Sequence, residues 1–84
     1  MPYKLVFTGK AIKDLKKLPP DIAGKIIKKL KFYTTAPNPL EFAKRLKGER
    51  AVFRFGIGDY RAKFILRNNT VYIFRIGHRK DIYK

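Results

Sequence analysis

The 84-residue chain carries 21 lysines and arginines against 6 aspartates and glutamates, a formal charge of +15, and no cysteine. That excess cannot be neutralised within the chain, so polyanions are its natural partners, while disulfide scaffolds and thiolate metal sites are excluded. An apolar content of 45% suits one hydrophobic core and a single domain over residues 1–84, and the lack of a long apolar run or an apolar leader predicts a cytoplasmic protein that does not engage a membrane.

Tyr3 to Thr8 alternate as a short strand, with Tyr3, Leu5 and Phe7 on one face and Val6 on the other, and this strand is expected inside a sheet. From Lys10 to Leu18 the apolar positions Ala11, Ile12, Leu15 and Leu18 recur at helical spacing. Pro19-Pro20 ends that helix, because proline lacks an amide donor and disfavours helix in the residue before it, and Pro20 or Asp21 opens the next one. In this second helix Ile22, Ile26, Leu30 and Tyr33 form the apolar stripe and Lys25, Lys28, Lys29 and Lys31 face water, with an end near Thr34-Thr35-Ala36-Pro37. Pro37 to Leu40 read as a turn and Glu41 to Leu46 as a helical turn. After Gly48 the period becomes two: Ala51 to Gly56, Tyr60 to Arg67 and Thr70 to Ile76 are predicted as consecutive antiparallel strands joined at Gly58-Asp59 and Asn68-Asn69. The expected architecture is α+β, an N-terminal strand, a helical hairpin and a three-stranded meander, with the helices on one sheet face.

Alternation then sorts the charges. Phe53 and Phe55, Ala62, Phe64 and Leu66, and Tyr72, Phe74 and Ile76 are expected beneath the helices, with Tyr60 in the same set. The helix-free face then collects Arg54, Arg61, Lys63, Arg67 and Arg75, and Arg79 continues the parity beyond the last strand. Arginine suits a phosphate-binding surface, since its planar fork donates paired hydrogen bonds and stays protonated at any working pH.

Four stretches resemble the RelE/ParE toxin superfamily, and within it the RelE branch of ribosome-associated messenger RNA endonucleases: Lys13-Asp14-Leu15-Lys16-Lys17-Leu18-Pro19, Arg45-Leu46-Lys47-Gly48, Gly58-Asp59-Tyr60-Arg61 and Gly77-His78-Arg79-Lys80-Asp81-Ile82-Tyr83. The resemblance implies roles for matching positions. Arg61 corresponds to the arginine that holds the scissile phosphate, Arg79 to the one that stabilises transition-state charge and assists the leaving group, and Tyr83 to a C-terminal tyrosine that stacks on or orients the substrate. Arg54 corresponds to a cation that supports deprotonation of the ribose 2′-OH and Lys47 to an RNA-contacting one; Lys63, Arg67 and Arg75 of the helix-free face, with Lys80, complete the expected RNA-binding set. Gly56 departs from the pattern: many relatives carry a second Lys or Arg there, which implies a weakened activity.

The implied reaction is attack of the ribose 2′-OH on the adjacent phosphate, giving a 2′,3′-cyclic phosphate and a 5′-OH, with no metal or other cofactor. The implied partners are messenger RNA in the ribosomal A site, the ribosome, and an acidic RelB-like antitoxin that is partly disordered until bound. Two alternatives stay open: a ParE-like poison of DNA gyrase, and an inactive or merely nucleic-acid-binding relative. His78, the only histidine, is read as structural, because strand parity points it away from Arg79.

Overall fold

The computed structural model describes residues 3–46 and 51–82. Strand β1 (Lys4–Phe7) leads into helices α1 (Gly9–Lys16) and α2 (Pro20–Thr35) and a 3₁₀ turn (Pro39–Phe42). Strands β2 (Ala43–Arg45), β3 (Val52–Ile57), β4 (Tyr60–Arg67) and β5 (Thr70–His78) follow. Local chemistry accounts for the helix ends. The Thr8 hydroxyl accepts from the Ala11 amide at 3.3 Å to cap α1. Pro20 occupies the first turn of α2, where its missing amide leaves no bond unmade. Pro37 follows the Ala36 cap, where the backbone turns extended.

The strands form one five-stranded sheet in the order β1-β5-β4-β3-β2, in which β1 runs parallel to β5 and all other pairs are antiparallel. The turn chemistry fits the two hairpins. Gly58 alone has positive φ (60°) in its two-residue loop, as a type II′ turn asks, and Asn68 and Asn69 both adopt positive φ (51° and 58°), as in type I′. Both helices pack on one face of the sheet. Ala11, Ile26, Leu30 and Tyr33 meet Phe55, Ala62, Phe64, Val71, Ile73 and Ile76 in the core. Its centre is an aromatic stack, with Phe55 4.2 Å from Phe64 and Tyr33 lying between Phe55 (4.8 Å) and Phe42 (4.9 Å). Among the described residues no helix is long and apolar enough to cross a membrane.

Three sequence expectations need correction. The N-terminal strand is at an edge of the sheet rather than inside it, because the meander supplies all the inner strands and only the outer side of β5 remains for it. The helical turn expected from Glu41 is a 3₁₀ turn that ends at Phe42, and the chain then adds the short edge strand β2, whose Ala43, Lys44 and Arg45 pair with Phe55, Arg54 and Phe53. The third concerns β5: Lys63 pairs with Arg75 while its neighbour Phe64 pairs with Ile73, so an extra residue is inserted at Phe74. This bulge reverses the parity. Val71 and Ile73 are fully buried beneath the helices, and Tyr72 and Phe74, expected there, lie on the opposite face with Ile65 and Arg67.

Candidate nucleic-acid interface

Strand pairing arranges the helix-free face in rows that cross the sheet. Lys4, Thr70 and Arg67 are aligned at one end. The next row is apolar, Val6, Tyr72, Ile65 and Val52. Beyond it comes a cationic row, Arg75, Lys63, Arg54 and Lys44. The last is Gly77, Arg61 and Gly56.

Arg61 stands between two glycines, and its side chain lies flat across β3. A Cβ built on Gly56 would be 3.5 Å from Arg61 Nη1 and 3.7 Å from its Cζ. The same Nη1 donates to the carbonyls of Gly58 (2.9 Å) and Tyr60 (2.8 Å), which fixes the plane of the fork. The strand beneath is held in turn, since the Tyr33 hydroxyl donates to the Gly56 carbonyl at 3.0 Å. Gly56 with Phe42, Lys44, Arg54 and Arg61 lines a depression of about 240 Å³. Gly56 thus leaves open the space into which the Arg61 guanidinium folds.

At the other glycine, the buried Ile82 side chain comes within 3.7 Å of where a Gly77 Cβ would be. The amides of Asp81 and Ile82 both donate to the His78 carbonyl, at 2.9 and 3.0 Å, so the segment after β5 curls back over the open face beside Arg61. Arg79 is exposed; its amide donates to the Asp59 carbonyl at 2.7 Å, and its Nε is 3.7 Å from the Asp59 carboxylate, which sets it against the β3–β4 turn. Gly77 and Ile82 were not recognised from the sequence as site-forming. A glycine aligned with Arg61 and an isolated apolar residue after the last strand were the available signals.

The sequence-predicted residues separate into groups. Arg54, Arg61 and Lys63 share the open face, with Arg54 and Arg61 in one depression and Lys63 next to Arg54 in the cationic row. Arg67 lines a second, more apolar depression on that face. Arg75 is drawn aside: its Nε is 3.6 Å from the Asp14 carboxylate of α1, a carboxylate that also accepts from the Ile76 amide at 2.9 Å and pairs with Lys10 at 3.3 Å. That guanidinium serves the sheet edge. Lys80 is exposed in the turn after β5. Lys47 and Tyr83 fall outside the described residues. His78 lies edge-on to Tyr60 on the helix side, its Nδ1 accepting from the Lys80 amide at 3.1 Å. Among the described residues no group of three or more His, Cys, Asp or Glu side chains is gathered as a metal site would need.

Residues 5–83 match the family described as the ParE toxin of type II toxin–antitoxin systems. Toxin RelG of Mycobacterium tuberculosis is 38% identical over 87 aligned positions that take in all of this chain and 99% of the relative. Toxin RelE3 of Methanocaldococcus jannaschii is 31% identical, with 95% of this chain and 94% of that one aligned. Among solved structures, the RelBE2 toxin–antitoxin complex of M. tuberculosis contains a chain with a TM-score of 0.81 and 34% identity, covering 94% of this chain and all of that one. The RelB–RelE antitoxin–toxin complex of Methanococcus jannaschii gives 0.74 and 26%, covering 93% and 94%.

Proposed function

This chain belongs to the RelE/ParE superfamily of type II toxin–antitoxin toxins, and on that premise we propose that it is an endoribonuclease that cuts translated messenger RNA on the ribosome. The observation that carries the reading is the depression in which Arg54, Arg61 and Lys44 converge around Gly56 on the helix-free face. Cleavage forms a bond between the 2′-oxygen and phosphorus and breaks the bond from phosphorus to the 5′-oxygen, so the 2′-oxygen loses a proton and the leaving 5′-oxygen gains one. A cluster of cations lowers the cost of the 2′-alkoxide and stabilises the dianionic phosphorane. Arg61, held flat by the turn carbonyls, grips the scissile phosphate through its remaining N–H groups. Arg54, with Lys44 and Lys63 beside it in the row, supports ionisation of the 2′-OH, Arg79 offsets charge on the leaving oxygen, and Tyr83 orients the substrate.

The solved relatives named as RelBE or RelB–RelE complexes support an acidic RelB-like antitoxin as the cognate partner, and a charge of +15 gives that encounter strong electrostatic steering. The family match carries the ParE description, which favours gyrase inhibition as the second reading. One experiment separates them. On induction without antitoxin, RNA ends mapped during growth arrest should lie within codons of translated messages. Intact messages with gyrase-dependent DNA breaks would give the case to the ParE-like reading, and growth without either would mark an inactive relative.

A further inference from the structure

We propose that the depression formed by Ile65, Arg67, Tyr72 and Phe74 is a nucleobase subsite, which receives one unpaired base of a single-stranded RNA held by the cations on either side. The inference rests on the RNA-cleaving reading and extends it to a part of the face that the reading leaves without a role. The depression, which Thr8 also lines, has a volume of about 350 Å³. It lies on the apolar row of Val6, Tyr72, Ile65 and Val52, with Arg67 in the row on one side and Lys63 and Arg54 in the row on the other.

Successive rows are two residues apart along a strand, about 6.8 Å. Arg67 and Lys63, two rows apart, are separated by about 13.6 Å, so an RNA strand running along β4 sets phosphates against both and lays a base of the intervening stretch on Ile65 and Tyr72.

The bulge supplies an independent argument. Alternation counted back from the buried Ile76 would put Phe74 and Tyr72 in the core and Val71 and Ile73 outside, yet the structure buries Val71 and Ile73. Two aromatic rings are thereby brought to an open face beside a cationic row, and bulges that re-aim side chains gather next to functional sites. Stacking on such rings needs a base of any identity. An amphipathic helix from an acidic protein is the rival occupant, but two turns of helix are about 10 Å across and about 11 Å long. A helix of that size would ride over the cationic rims without filling a depression this small.

The probe is a short 2′-O-methyl RNA carrying 2-aminopurine at one position at a time, added to the intact chain at low salt. One position should be quenched on binding. Tyr72→Leu and Phe74→Leu, which keep apolar volume, should each remove that quench and weaken binding about tenfold. An abasic residue at the same position should weaken wild type by a similar factor and leave the Leu variants unmoved, an arm that needs no stable variant to show the loss in wild type. Arg61→Ala should retain the quench with this uncleavable probe while losing cleavage of translated message that carries its 2′-OH groups. Equal quench and affinity in wild type and both Leu variants would overturn the subsite and leave the RNA-cleaving reading standing; failure of wild type to bind the free RNA would likewise overturn the subsite, while the cleavage reading, which places the message on the ribosome, is decided by the RNA-end mapping. Leu variants that bind RNA normally but no longer capture the co-expressed acidic antitoxin would show a protein-docking surface, and the subsite would fall.

Discussion

The two hairpins of the meander look alike in sequence and behave differently in the sheet. The β3–β4 ladder runs without a shift from Val52 opposite Ile65 to Ile57 opposite Tyr60, so period-two alternation puts Arg54, Arg61 and Lys63 on the open face as expected. The β4–β5 ladder breaks between Lys63 and Phe64, and beyond the break the same rule assigns Tyr72 and Phe74 to the wrong side. Alternation is a reliable ruler only between bulges. The difference also divides the chemistry: the regular hairpin holds Arg61 against its own turn carbonyls, whereas the bulged strand turns its arginine, Arg75, towards Asp14 and offers aromatic surface instead.

The largest expected effect contrasts arginines on the two strands. Arg61→Ala and Arg79→Ala should each reduce RNA cutting about a hundredfold or more with a melting temperature close to wild type, because the polar contacts of both side chains go to the β3–β4 turn and neither is part of the core. Arg75→Ala should do the reverse, lowering the melt while leaving most cutting in place, since its described partner is the buried Asp14. Cutting rates and thermal melts on the three purified variants check this; a fully active Arg61→Ala would remove the regular hairpin from the chemistry.

Gly56 sharpens the comparison next. On the sequence alone, restoring a cation by Gly56→Arg should strengthen the toxin. The structure reverses that expectation. A Cβ at Gly56 makes ordinary contact and the residue is absent from the positive-φ positions, so the strand itself tolerates a side chain. A longer one, however, enters the space occupied by the Arg61 guanidinium. Gly56→Arg should therefore melt like wild type and cut about tenfold to a hundredfold more slowly, the penalty for misplacing a catalytic group by about an ångström, while Gly56→Ala stays close to wild type in both. Faster cutting by Gly56→Arg would reinstate the missing-cation argument.

A smaller effect follows from deleting Phe74. Without it Ile73, Arg75 and Ile76 alternate regularly, and Lys63 and Phe64 face consecutive residues of β5. The variant should fold cooperatively with a loss of about 1–3 kcal/mol, measured by denaturant titration, and with Tyr72 left alone on the open face. Failure to fold would mean that the core needs the bulge.

These cases explain how much was legible beforehand. Helix α2, strand β4 and both turns could be read because their signals are local: the Ile22, Ile26, Leu30, Tyr33 stripe, the alternation of β4, Gly58, and the Asn68-Asn69 pair. Strand β2 could not be read, since three residues become a strand only by pairing with β3. The bulge was hidden because Val71 to Ile76 alternate acceptably in either register. At the candidate site the cations were legible from parity, but the fold of Arg61 across Gly56 and the return of Ile82 onto Gly77 depend on contacts between strands that no spacing along the chain reveals.

The smallest effect concerns the support beneath the regular hairpin. Tyr33 is packed between Phe42 and Phe55, and its hydroxyl donates to the Gly56 carbonyl on the strand that carries Arg54. Tyr33→Phe keeps the stack and removes that one hydrogen bond, so the expected loss is about 1 kcal/mol. Burial also pushes the Tyr33 hydroxyl above the ordinary 10.0. The fold therefore favours the neutral phenol; its contribution is complete below pH 10.0 and is lost as pH rises from there through the raised folded value. The many lysines titrate in the same range, so the informative quantity is the difference between wild type and Tyr33→Phe, measured by denaturant unfolding near neutral pH and again above pH ~10. Wild type should lose its advantage at the alkaline end; an advantage that persists there would show that the phenol is not held neutral by the fold and that the Gly56 carbonyl draws its support from elsewhere.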